Sequence, residues 1–203
     1  MLVRAGSAGH RLAHAALLAG VLTGCSEAAV GESETSARPS ASAGTTVRSG
    51  GSIGAAGSAC ELPVTFDMAK GWKPEAVQAP LRQGPVSLVC EIDAKPAGSI
   101  GFLRVWAGES GGGDARSVLE GFVAGEEGAS EERYSTFTSG ALSGVRVEYL
   151  FTSELLDETK KESAFAVVTA DGPVVLHLGG LDTEEHEEML PAYELARRTL
   201  RTA

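Results

Sequence analysis

The sequence predicts an α+β fold, an antiparallel sheet of about six or seven strands flanked by helices. Three observations lead there. Seven segments between residues 62 and 179 carry β-branched and aromatic residues in strand-like runs. The connections near 94–98, 140–143, 153–160 and 170–173 are short and carry turn residues, which joins neighbours antiparallel. Two further segments repeat their apolar residues at helical spacing, and several strands are apolar on both sides, so the sheet needs cover on both faces.

In order, the strand signals are Leu62–Phe66, Val86–Asp93, Ser99–Ala107, Tyr134–Thr138, Gly144–Thr152, Ala164–Thr169 and Val174–Gly179. In residues 100–107, Ile100, Phe102 and Trp106 are expected on one side and Leu103 and Val105 on the other. Asp171-Gly172-Pro173 is the clearest turn. The first helix starts at an Asp114 cap, and Ala115, Val118, Leu119, Phe122 and Val123 follow as one face. Gly108 to Asp114 lies between strand and helix, where phosphate-binding loops sit. It has no closing lysine, and Glu109 and Asp114 would repel an anion, so it reads as a loop with a cap. The last segment opens with Asp182-Thr183-Glu184-Glu185 and closes on Arg197, Arg198 and Arg201, both suited to a helix dipole. Pro191 predicts a break, with a short turn at 183–189 and a new helix starting at the proline. Met189, Tyr193, Ala196 and Leu200 would form its buried stripe.

Organisation follows from composition. Residues 60–203 hold the strand and helix signals and form one globular domain. Residues 25–59 are mostly Ser, Gly, Ala, Thr and Glu, with Val30, Val47 and Ile53 isolated. Such a stretch buries too little apolar surface to order itself and reads as a tether. A flexible coil of that length would have a reach of roughly 30–35 Å, and its serines and threonines could accept sugars.

Residues 1–24 read as a signal peptide. Arg4 and Arg11 precede an apolar run from Leu12 to Leu22, too short to span a bilayer core that needs roughly 20 residues. Leu22-Thr23-Gly24-Cys25 resembles the bacterial lipobox, and the resemblance implies cleavage before Cys25 and a diacylglyceryl group on its thiol. Two acyl chains suffice for stable anchoring. The expected site is the extracytoplasmic face of the cell membrane.

The remaining cysteines are Cys60 and Cys90. In an oxidising compartment they are expected to pair, since Cys60 shares the phase of Leu62, Val64 and Phe66, and Cys90 that of Val86, Leu88 and Ile92. No Cys-x-x-Cys or Cys/His spacing suggests zinc.

The chain carries 17 basic and 27 acidic residues, and removal of residues 1–24 takes the formal charge from −10 to −12. That excludes a nucleic-acid partner, because no basic stripe displaces phosphate counterions. It also makes the lipid, not surface charge, the means of attachment. Arginine outnumbers lysine 12 to 5 and Ala and Gly are abundant, a bias of high-GC bacteria that points to an actinobacterial surface lipoprotein.

Val64-Thr65-Phe66 followed by Gly71-Trp72, with the order strand, Gly-Trp segment, strands, helix, strands and C-terminal helix, resembles the PsbP-like sandwich over residues 61–203. The resemblance implies an α/β/α sandwich and binding rather than catalysis. No functional residue is carried over from it.

Candidate binding residues are His177, Arg104, Glu148 and Trp72, with Glu91 and Arg146 on the same polar phases of their strands. They are either scattered solvent-facing residues or one polar site. His177 is the pivot, because a neutral imidazole donates, accepts or shuttles a proton near pH 7. Trp72, in Gly71-Trp72-Lys73-Pro74, reads as a core residue or an aromatic anchor. Asp182, Glu185, His186 and Glu187 offer metal-ligand atoms on adjacent turns, but an acidic first helical turn explains them equally, so no metal and no cofactor are expected.

Two functions follow. One is a lipid-anchored, non-enzymatic domain that binds an envelope protein, lipid or polymer. The alternative is an extracytoplasmic hydrolase using His177 with a carboxylate, which a cluster of His177, Glu148 and Arg104 at the floor of a deep pocket would favour; a flat or apolar-lined surface would favour the first.

Overall fold

The computed structural model describes residues 47–203. The expected signal peptide, Cys25 and the stretch read as tether, through residue 46, lie outside the described residues. The elements are β1 (Ser49–Ile53), β2 (Val64–Ala69), β3 (Lys73–Ala76), β4 (Arg82–Gln83), β5 (Val86–Asp93), a single 3-10 turn, β6 (Gly101–Ala107), α1 (Ala115–Val123), β7 (Ala129–Ser139), β8 (Leu142–Ser153), β9 (Glu158–Thr169), β10 (Gly172–Gly180), α2 (Thr183–Thr199) and β11 (Arg201–Thr202).

The main sheet runs β3-β5-β6-β10-β9-β8-β7, with β4 paired to β5, and every pairing is antiparallel. The two long hairpins β7–β8 and β8–β9 need only tight turns, as the connection lengths require. Gly172 opens β10 at φ +130°, and a Cβ there would lie 2.2 Å from the Gly108 carbonyl oxygen. Only glycine serves at that corner.

Both faces are covered. On one, α1 places Val118, Leu119, Phe122 and Val123 against Trp106, Val147, Ala164, Ala166 and Val175. Asp114 caps it, accepting hydrogen bonds from the Arg116 and Ser117 amides. On the other face lie α2 and a small sheet of order β1-β2-β11. Met189, Tyr193 and Ala196 form the inward stripe of α2, continued by Leu200 at its C-cap, and pack with Phe66, Ile92, Leu103, Phe165 and Leu176.

Four expectations are corrected. First, α2 runs unbroken through Pro191, which lies in its interior. The proline removes one backbone donor, but Met189, Ala192, Tyr193 and Ala196 are all buried around it, so packing on the sheet holds the axis.

Second, the ordered domain begins before residue 60. Ser49–Ile53, inside the stretch read as tether, pairs with β2. Four of its five residues are exposed and only Ile53 is buried, so local composition carries little strand signal. The strand exists because β2 offers an edge.

Third, Cys60 and Cys90 are bonded to each other, but not across paired strands. Cys60 precedes β2 in the small sheet, whereas Cys90 lies in β5 of the large one, so the bond staples the two layers. A bulge between Leu88 and Cys90 makes this geometry. Ahead of it Val86 and Leu88 face α1; beyond it Cys90 and Ile92 face α2.

Fourth, Ile100 does not join Trp106 in the core. It precedes β6 and is 52 % exposed.

Candidate functional site

His177 does not sit on a solvent-facing phase. Every residue of β10 is buried, and His177 shares the α1 side with Val175. Arg104 pairs with it across the ladder and Glu91 pairs with Arg104, so these three share one face. Arg104 Nε donates to Glu91 Oε1 at 2.7 Å. Glu148 and Arg146 lie on the opposite face, where they pair with each other and Arg146 reaches Glu194. Trp72 is buried in the core between the small sheet and the large one. His177, Glu148 and Arg104 therefore do not converge on one site; the sheet separates Glu148 from the other two.

What His177 meets is Glu162. In β9 the residue opposite His177 is Ala164, and Glu162 lies two positions along on the same face. Their side chains are each about 5 % exposed, and His177 Nε2 donates to Glu162 Oε2. Lys160 Nζ stands 2.8 Å from the other carboxylate oxygen. Tyr149, opposite Glu162 in β8, places its hydroxyl 3.2 Å from Glu162 Oε2, 3.2 Å from His177 Nε2 and 2.6 Å from Glu126 Oε2. A phenol has one proton to give, so Tyr149 donates to the nearest carboxylate, Glu126.

The electrostatics of this pair are mutual. Burial alone would push the Glu162 pKa up, but His177 and then Lys160 outweigh it and hold the carboxyl at about 2. Burial would likewise push His177 down, yet the Glu162 carboxylate and its hydrogen bond raise it above the ordinary 6.5. Burial, reinforced by both carboxylates, pushes Tyr149 well up. The arrangement is a buried imidazolium–carboxylate pair sealed by a neutral phenol.

Glu126, Glu162 and His177 bring ligand-type atoms within 4.8 Å of one another, the set among the described residues that could hold a cation. As arranged, His177 and Lys160 already supply the positive charge, and an ion would have to displace both. The acidic start of α2 does not converge. Asp182 caps the Glu185 amide, Glu185 accepts from the Ile100 amide, His186 meets Ser163 and Glu187 meets Lys161.

Beyond that helix start lies a cleft of about 350 Å³ with a mixed lining that includes Arg133, Glu148, Lys161, Glu187 and Leu190. Ser163 and His186 stand in its wall, 3.0 Å apart. Burial lowers the His186 pKa, so the imidazole is neutral. Its Nδ1 has no partner, and both residues are under 5 % exposed. The pair lacks the orienting carboxylate and the open face of a nucleophile–base couple.

Sequence reading missed Glu162, Tyr149, Glu126 and Ser163. One signal was present: Glu162 shares the phase of Ala164 and Ala166. A carboxylate in an apolar phase, beside a strand carrying a histidine in its own apolar phase, announces a buried pair.

Comparison with known proteins gives a family and a fold. The family described as an uncharacterised lipoprotein matches residues 30–200. The solution structure of cyanobacterial PsbP (CyanoP) from Synechocystis sp. PCC 6803 is similar at a TM-score of 0.51 and 13 % identity, over 75 % of this chain and 98 % of that one. No curated protein sequence matches.

Proposed function

The chain belongs to this family of uncharacterised lipoproteins and has a PsbP-like fold, and from that premise we propose a lipid-anchored, non-enzymatic binding domain at the extracytoplasmic face of the cell membrane. Cys25 carries the anchor, and the partner is an envelope component. The observation that supports binding over catalysis is the commitment of His177. Its Nε2 proton is given to Glu162 beneath α1, and Glu148 and Arg104 lie on opposite faces of the sheet. His177 and its carboxylate partner are thereby closed to solvent, each about 5 % exposed. The cleft between the start of α2 and β8–β9 offers one concave surface, with Arg133, Lys161, Glu148 and Glu187 as polar contacts around Leu190.

The test is capture in whole cells. A photo-crosslinking residue at Leu190 should trap a discrete envelope component, identified by mass spectrometry. The same residue at Glu109, at the far end of the sandwich, should not. Equal capture from both positions, or turnover of an ester or glycoside that depends on Ser163 or His177, would overturn the reading.

A further inference from the structure

One end of the sandwich gathers lysines and exposed apolar side chains. The chain has five lysines, Lys70, Lys73, Lys95, Lys160 and Lys161, and all five lie there. Lys73 pairs with Asp93 at the last rung of β5. Lys95 follows that rung, and Gly71, next to Lys70, packs on Ala97. Lys160 reaches the Gly180 carbonyl at the end of β10. The arginines among the described residues are spread over both ends.

The same end carries exposed apolar groups. Six large apolar side chains stand exposed among the described residues, and four of them, Ile100, Leu155, Leu156 and Leu181, are at this end. Leu155 and Leu156 occupy the β8–β9 turn, 92 % and 62 % exposed. The turn itself does not call for them. Its positive φ falls on Asp157, and its closing bond runs from the Asp157 amide to the Ser153 carbonyl. Beside the turn, Phe151, Leu156 and Leu181 share a groove of about 620 Å³ of mixed lining with Lys160, Glu158 and Asp182, and the Leu181 amide bonds the Ile100 carbonyl.

The third feature is where the chain enters. Arg48, just ahead of β1, accepts from the Lys70 amide, so the segment leading back to Cys25 joins the domain at this same end. Only 22 residues separate Cys25 from Arg48, and a flexible coil of that length has a reach of roughly 25 Å. That is about the width of five strands.

We propose that this end is a membrane-contact surface, with Leu155 and Leu156 seated among lipid headgroups, Leu181 and Ile100 beside them, and the exposed Lys70, Lys73 and Lys95 at the phosphate level. The proposal rests on the lipid-anchor reading, because the tether is what keeps the leucines near the bilayer. Glu154, Asp157, Glu158, Asp182 and Glu184 share this end, so its field is not that of a cationic patch. Apolar insertion at high effective concentration is the binding force, and raised salt should weaken it little.

The test takes the chain from Cys25 onward, coupled through its Cys25 thiol to a maleimide lipid in phosphatidylglycerol/phosphatidylethanolamine vesicles. Tethering is then imposed chemically, and the anchor reading is scored apart from it by the intact mass of cell-extracted protein. In the Leu155→Trp variant, tryptophan emission should shift to the blue on coupling and be quenched by bromolipids. Trp72 and Trp106, both buried, provide the parent background. Amide exchange at 98–101, 153–158 and 181 should slow roughly tenfold or more, while 108–113 and 140–143 stay unchanged. A Leu155→Ser, Leu156→Ser chain, which keeps its core, should lose that protection. Emission and exchange unchanged on coupling, or protection at the opposite end, would overturn the proposal. So would protection that appears without vesicles and rises with protein concentration, which would make a second copy the occupant.

Discussion

Glu162 and His177 form an ion pair between β9 and β10 with both side chains about 5 % exposed, directly under α1. Phe122 of that helix stands 5.5 Å from the imidazole, so helix packing and ion pairing depend on one another. Breaking the pair on one side strands a charge in an apolar layer. Glu162→Gln should therefore destabilise the domain by about 3–5 kcal/mol. The double change Glu162→Gln, His177→Gln should recover part of that loss, since no charge remains to be compensated. Urea unfolding of the three chains measures both. An additive double variant would show that the residues do not act as a pair.

The same pair sets a pH window. Glu162 titrates near 2 when folded, against an ordinary 4.5. Its contribution is full above about 4.5 and is lost as pH falls towards 2. A shift of that size corresponds to on the order of 3 kcal/mol. His177 is shifted the other way, above 6.5, so its contribution is full below about 6.5 and declines as pH rises through the folded value. Stability should then peak between about pH 4.5 and 6.5, with a limb on each side. A Glu162→Gln chain should lose most of both limbs. A parent profile identical to that of the variant from pH 2 to 9 would refute the assignment.

Cys60 and Cys90 tie the small sheet to the large one, adding a cross-link to the backbone connections that run through β2–β3 and α2–β11. Reduction should cost about 2–4 kcal/mol in the chain-entropy picture, with amide exchange rising first in β1 and β2. Peptide mapping without reductant should recover the two cysteines linked. Alkylation of both thiols in native, unreduced protein would contradict the bond.

Acylation at Cys25 has its own signature. The mature protein should begin at Cys25 and carry a lipid mass increment, and a Cys25→Ala chain should leave the membrane fraction. A Cys25→Ala protein that survives high-salt and carbonate washing in that fraction would place the attachment elsewhere.

Legibility from sequence divides along a physical line. Asp114 and Asp182 were readable as caps because capping is decided within three residues. The stripe of Met189, Tyr193, Ala196 and Leu200 was readable because helical period fixes its face. His177 was misread because β10 is buried on both sides and has no polar phase, so alternation could not assign it. Its partner was hidden by register. Glu162 meets His177 and Tyr149 only once β8, β9 and β10 are aligned, and no local pattern specifies a three-strand alignment. The bulge beside Cys90 likewise reversed a face that strict alternation had assigned.

The start of the domain gives the last prediction. Ser49–Ile53 pairs with β2 from Ile53–Phe66 to Ser49–Ala69, and Ile53 is 2 % exposed in the core that also holds Phe66 and Val64. Gly54 lies against the Val64 carbonyl, and its own carbonyl accepts from the Leu62 amide. Deleting residues 26–46 should therefore leave stability unchanged within about 0.5 kcal/mol, as for changes away from packed structure. Extending the deletion through Gly54 should cost several kcal/mol, because it removes a strand and empties the Ile53 site, where loss of a buried isoleucine alone costs about 2–5 kcal/mol. Limited proteolysis reads the same boundary: the resistant fragment should start near residue 47, not near Cys60. A resistant fragment that begins at 58–60 and keeps full stability would show that β1 contributes nothing and that the domain starts at the disulfide.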